Sequence, residues 1–209
     1  MFISPSVASG DMLNVEREVQ FICENFPEVH VDIEDGVCFP NNISFGFKLA
    51  KAICRISTKP VSLHLMVHDP LAWINDVREC NAKYVFVHVD HVENPVGVLK
   101  AYQENGISVG LGLSNRDLGK DWKSWAAHVS TALVLTAKVE DPLQKFDPVL
   151  AQFAVEVAQT AGLQVWADGA IEYHMLPQFA KDGIYVCVMG RAIYRDKEKA
   201  CIEAGIWNH

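Results

Sequence analysis

The chain alternates short apolar runs with longer amphipathic stretches about eight times, and no other feature constrains its fold as much. Runs of strand length fall at 2–3, 29–33, 61–66, 84–89, 108–113, 132–135, 164–167 and 184–189. Stretches with helical spacing lie between them, for example at 13–25, 46–56, 72–80, 96–105, 148–161 and 173–181. Gly106, Gly162 and Gly183 stand where such helices end and fit C-terminal caps. Strands alternating with helices build parallel βαβ units. Two architectures satisfy that pattern, an open doubly wound sheet and a closed (β/α)8 TIM barrel. A chain of 209 residues is small for a barrel but within range. The simplest organisation is one domain over residues 1–209, with no linker, low-complexity tract or solenoid repeat.

Polar residues inside the strands decide between the two. In 29–34, Val29, Val31 and Ile33 alternate with His30, Asp32 and Glu34, so the three polar side chains share one face. In 61–66, Ser62, His64 and Met66 share a face by the same period, and the run 163–167 ends on Asp168-Gly169. Each has an ordinary reading: a wet outer face, a satisfied core histidine, a turn aspartate. Together, His30, Asp32, His64 and Asp168 make a candidate N2O2 site for a divalent metal, which would offset the desolvation of inward polar groups. Strands two, three and seven must then reach one point. A closed barrel gathers the C-terminal ends of all its strands at one mouth and an open sheet does not, so the barrel is expected.

Two carboxylates at one metal suit a particular chemistry. A metal polarises a carbonyl, one carboxylate removes the adjacent carbon's proton, and the other returns one on the opposite face. The product is inverted at that carbon. In 186–194, a strand ends on Gly190 before Arg191. Loops after strands seven and eight commonly bind phosphate in such barrels, so Gly169, Gly190 and Arg191 are candidate anion contacts.

The formal net charge of -8 argues against general affinity for nucleic acid, and no apolar stretch is long enough to span a membrane. The six cysteines are scattered with no C-x-x-C pair, and the N-terminus has no signal-peptide shape. Reduced thiols and a cytoplasmic location are expected.

These residues resemble the ribulose-phosphate 3-epimerases and their ketose-phosphate epimerase relatives. The likeness runs along nearly the whole chain: Ile3-Ser4-Pro5-Ser6, His30-Val31-Asp32-Ile33-Glu34-Asp35-Gly36 continued by Phe39-Pro40-Asn41, Leu63-His64-Leu65-Met66-Val67, Val87-His88-Val89 and Ala167-Asp168-Gly169. The resemblance implies a (β/α)8 barrel with one divalent metal (zinc, iron(II) or manganese) held by His30, Asp32, His64 and Asp168. It implies Asp32 and Asp168 as the acid/base pair, Ser6 as a substrate contact and Met66 as part of the wall around the enediolate. It also implies a small sugar phosphate as substrate and a homodimer or hexamer.

Three departures stand out. Glu34 replaces a Met of the family and should face inward with His30 and Asp32. The family's Gly-rich loop after strand six is replaced by residues 136–146. Asp168-Gly169-Ala170 stands for Asp-Gly-Gly, and Arg191 replaces a small residue. The leading expectation is 3-epimerisation of D-ribulose 5-phosphate to D-xylulose 5-phosphate. The alternatives are another ketose phosphate such as a hexulose 6-phosphate, a non-catalytic metal- or sugar-phosphate-binding paralogue, and a decarboxylase on a similar barrel. The last would lean on a Lys–Asp array that these strands lack.

Overall fold

The computed structural model describes residues 1–40 and 42–208, without the side chain of Ala161. Asn41, placed by the sequence in the loop after strand two, lies outside the described residues. Eight strands form one parallel sheet: β1 (Phe2–Pro5), β2 (Val29–Glu34), β3 (Val61–Met66), β4 (Tyr84–His88), β5 (Val109–Leu113), β6 (Thr131–Leu135), β7 (Gln164–Asp168) and β8 (Val186–Met189). Their spatial order is β1-β8-β7-β6-β5-β4-β3-β2, with every pairing parallel. A parallel bridge between Ser6 and His30 brings the two ends of this sheet together. The sheet is thus a nearly closed barrel with strand order following the chain.

Helices α1 (Val15–Asn25), α2 (Phe47–Ile56), α3 (Ile74–Cys80), α4 (Pro95–Glu104), α5 (Trp122–Ala126), α6 (Pro148–Ala161), α7 (Leu176–Lys181), α8 (Arg191–Arg195) and α9 (Lys197–Trp207) follow the strands. Most of the buried apolar side chains lie between strands and helices, where Val31, Leu63, Val87, Leu111 and Ala167 meet Ile22, Ile53, Leu99 and Val157. The helix ends follow from local chemistry. Asp147 caps α6 by accepting from Val149 N, Pro148 occupies its first turn, and Gly162 ends it at φ +64°, a conformation that favours glycine.

Inside the barrel a second apolar cluster joins Phe86, Leu133, Trp166, Val186 and Val188. Trp166 fills its centre, with its ring centroid 4.9 Å from Phe86 and 5.2 Å from Tyr84. Glycines on β5 make room for these rings. A Cβ on Gly110 would come within 2.8 Å of the Phe86 ring, and one on Gly112 within 2.8 Å of His88. This part of the barrel interior is therefore tightly packed. The polar residues of β2, β3 and β7 stand above it, toward the C-terminal mouth where such barrels carry their chemistry.

Candidate metal centre and active site

His30, Asp32 and His64 point into the barrel from β2 and β3, and Asp168 joins them from the end of β7. Both histidines are fully buried. The register explains the meeting: Asp32 lies directly opposite His64 across the β2–β3 ladder. One potential ligand atom from each of the four residues lies within 4.8 Å of the other three. Nδ1 of His64 is 3.2 Å from Oδ1 of Asp32 and 3.4 Å from Oδ2 of Asp168. Nε2 of His30 is 3.2 Å from the same Asp32 oxygen but out of line for a hydrogen bond, and it has no other partner.

A hydrogen-bonded chain stands behind that ring. Nδ1 of His30 lies 2.7 Å from Oγ of Ser62, and the Ser62 hydroxyl donates to the buried Glu28. A serine has one hydroxyl proton. With that proton on Glu28, the hydrogen in the His30 contact belongs to His30 Nδ1, and in the neutral ring Nε2 keeps a lone pair. Metal-bound histidines characteristically carry such a partner on the other nitrogen. The donor set, its closeness and the free lone pair therefore fit a divalent metal.

The electrostatics are those of a crowded polar cluster. Burial raises the Asp32 carboxyl, but His30 and His64 outweigh it and hold the group well below the usual carboxylate range. Burial lowers His64, and the carboxylates of Asp168 and Asp32 overcome that and lift it to about 9. Burial lowers His88 well below its ordinary value, assisted by the neighbouring His64. Burial, reinforced by the Asp32 charge, raises Glu34 to about 7.

A cavity of about 510 Å³ opens above the cluster, lined among others by Asp32, Glu34, Met66, Asp168, Gly190 and Arg191. This is an ordinary volume for a small-molecule site. The residues expected as substrate contacts all line it. Ser6 donates to Asp32 Oδ2 at 2.5 Å, so its hydroxyl holds the acid. Met66 packs with Cys38, Phe39 and Val139 as an apolar wall. Gly169, at φ +121°, lets the chain pass Ala137 closely, and its carbonyl accepts from Thr136 Oγ1 at 2.6 Å. Gly190 lies against Ser9, whose hydroxyl would collide with a Cβ there. Arg191 reaches back to the loop after β6, donating to the carbonyls of Leu143 at 2.8 Å and Gln144 at 2.5 Å.

That loop is a self-organised excursion. An antiparallel bridge joins Ala137 to Phe146, Asp147 N donates to Thr136 O, and Lys138 lies 3.5 Å from Asp147 Oδ2. The sequence reading gave no role to Ser62, Glu28 or His88. Ser62 shares the His64 face by strand period, which is a usable signal. Glu28 precedes its strand and carries none, whereas His88 stands in the Val87-His88-Val89 motif of the resemblance.

The profile of the ribulose-phosphate 3 epimerase family matches residues 2–194. A ribulose-phosphate 3-epimerase of Mycobacterium bovis is 27% identical over 209 residues, covering 98% of this chain and 90% of the relative. One from Helicobacter pylori is 22% identical over 213 residues, covering all of this chain and 97% of its own. Among solved structures, a tryptophan synthase α-subunit from Pyrococcus furiosus superposes with a TM-score of 0.68 at 11% identity, covering 98% of this chain and 93% of that one. It shares the barrel fold. With a family profile spanning nearly the whole chain and a two-carboxylate, two-histidine cluster at the barrel mouth, this chain belongs to the ribulose-phosphate 3 epimerase family, a family of carbohydrate isomerases.

Proposed function

We propose that this chain is a metal-dependent 3-epimerase of a ketose phosphate, with D-ribulose 5-phosphate and D-xylulose 5-phosphate as the default pair. The observation that supports this reading is that Asp32 and Asp168 both approach one histidine nitrogen, at 3.2 and 3.4 Å, and both line the cavity. Inverting a carbon next to a carbonyl calls for a proton-transfer group on each face, and two carboxylates bordering one cavity are suited to that task.

His30, Asp32, His64 and Asp168 would hold a divalent ion (zinc, iron(II) or manganese), which supplies Lewis-acid stabilisation of the enediolate oxygens. The chain's own residues do the rest. Asp32 or Asp168 takes the C3 proton, and the carboxylate across the cavity gives one to the other face. Ser6, donating to Asp32 Oδ2, holds that carboxyl in its charged form and fixes its orientation. Met66, Phe39 and Val139 keep bulk water off the reacting carbon from one side. Gly169, Gly190 and Arg191 border the end of the cavity suited to the phosphate.

One observation favours a second substrate within the same chemistry. The loop 136–146 is tied down by Arg191, and Glu34 adds a carboxylate to the cavity wall. Both change the surroundings of the substrate without touching the four-residue cluster, as expected for a different ketose phosphate such as a hexulose 6-phosphate. The same reading takes residues 1–209 as one barrel domain, working in the cytoplasm as a homodimer or hexamer; family resemblance supports these points.

Proton NMR in deuterated water, with manganese, zinc or iron(II) and a panel of ketose phosphates, tests the proposal. Loss of the C3 proton signal with one sugar, together with appearance of its epimer, is the expected result and names the substrate. No exchange with any sugar by protein that has bound metal would overturn it in favour of a binding paralogue.

A further inference from the structure

We infer that Asp117 is a positioning residue for the metal cluster, acting through His88 on His64. The inference rests on the proposed reading of His64 as a metal ligand, and it comes from counting protons. His64 turns Nδ1 toward Asp32 and Asp168, so that nitrogen is the one available to a metal. Its Nε2 lies 2.9 Å from Nε2 of His88. At that distance one nitrogen donates and the other accepts. A His64 that offers a lone pair at Nδ1 carries its proton on Nε2 and is the donor. His88 then accepts at Nε2, and a neutral imidazole accepting there carries its own proton on Nδ1.

That Nδ1–H is fully buried and has no hydrogen-bond partner. Beside it stand two carboxylates: a ring nitrogen of His88 and oxygens of Asp90 and Asp117 all lie within 4.8 Å of one another. With Nε2 engaged by His64, Nδ1 is the nitrogen left to serve them. Asp90 is already engaged on both oxygens, with His91 at 3.4 Å and Lys120 at 3.4 Å. Asp117 accepts the backbone N–H of Ser114 on Oδ2 at 2.8 Å, while its Oδ1 is buried with no partner. One buried donor and one buried acceptor are thus left over in the same corner, and they are complementary. Leaving both unmade would be costly, and they stand too far apart for a direct hydrogen bond, which favours their joining through one water.

His88 is held in place for this task. Gly112 leaves space for the ring, since a Cβ there would come within 2.8 Å of it. Phe39 packs edge-on at a centroid distance of 4.8 Å. The same counting excludes His88, Asp90 and Asp117 as a second metal centre coexisting with the first. A metal at His88 Nδ1 would move that proton to His88 Nε2. His64 would then have to accept at Nε2 and carry its proton on Nδ1, the atom the first centre needs. The chain from Asp117 through His88 therefore fixes which nitrogen of His64 is free.

Two measurements test this. Long-range proton–nitrogen NMR on metal-free protein labelled with ¹⁵N-histidine reads the tautomers directly. Wild-type protein should show His88 protonated on Nδ1; protonation on Nε2 alone would overturn the inference. The second is a double-mutant cycle on zinc affinity, measured by competition with a chelator. In Asp117→Asn the single amide oxygen cannot serve both Ser114 N and His88, so affinity should fall about tenfold. In a His88→Gln background the same substitution should change affinity little, because the relay is already cut. An equal loss in both backgrounds, or zinc bound as tightly by Asp117→Asn as by wild type, overturns the role of Asp117. Wild-type protein that takes up no zinc would instead remove the metal reading itself, a distinct result. If Asp117→Asn fails to fold, the wild-type tautomer decides the matter alone.

Discussion

The two ends of the cavity are built by different means. The cluster end is carried by strands: His30 and Asp32 on β2, His64 on β3 and Asp168 at the end of β7, with positions set by ladder register. Each histidine is steadied from behind, His30 by Ser62 and Glu28, His64 by His88. The opposite end is carried by loops. Arg191 there holds loop carbonyls, and Lys138 pairs with Asp147. Geometry held by a sheet tolerates little change, whereas geometry held by a loop can be re-specified without disturbing the sheet. The contrast teaches that the cluster and the loop wall of the cavity rest on separate supports, and it can be attacked from either side.

The largest effect should come from the strand end. Asp168→Asn removes one proton-transfer group while keeping shape, so turnover should fall by about 10²–10⁴ with the thermal melt nearly unchanged. Near-normal C3–H exchange in that variant would break the two-base assignment. Next comes the support behind the cluster. Ser62→Ala leaves His30 Nδ1 and Glu28 without their shared partner, and metal affinity should drop by about 10–100-fold in a chelator competition.

At the loop end, Arg191→Ala releases two carbonyls of the loop 136–146 and leaves the cluster alone. The Michaelis constant for the phosphorylated substrate should rise by several-fold to about tenfold, with turnover much less affected. An unchanged constant would separate Arg191 from substrate binding and erase the contrast at that point.

The smallest effect belongs to the rim. His91 is raised to about 10 by its contacts with Asp90 and Cys38. A histidine raised in the folded state stabilises fully below its unfolded value near 6.5, and that contribution fades as pH rises through about 10. Urea midpoints of wild type and His91→Gln should therefore differ most below pH 6.5 and converge toward pH 10. A gap that is constant with pH would show that the role of His91 is packing alone.

The strands were readable in the sequence because β-branched runs bounded by turn residues leave few other readings. Period-2 alternation also put His30, Asp32 and Glu34 on one face, and Glu34 does line the cavity. Less visible was whatever depends on a distant partner. Helix α5 spans five residues, too few for a periodic signal. The task of Arg191 depends on carbonyls 47 and 48 residues away along the chain. His88 and Asp117 look like a strand end and a turn cap, and only the fold aligns their unsatisfied atoms. Ser6, expected as a substrate contact, lines the cavity, and its bond to Asp32 depends on the neighbouring strand.

The bridge between Ser6 and His30 is where the hoop of strands is fastened, and the fastening sits at the chemistry. Strand β1 meets β2 there through one backbone bridge and the Ser6–Asp32 hydrogen bond. The cluster draws on residues from position 30 to position 168, so it comes into being only when the ring shuts. An ion gripped by these four side chains would act as a rivet through the seam. Its affinity would count toward keeping the ring shut, and the melting temperature should climb with metal concentration by mass action.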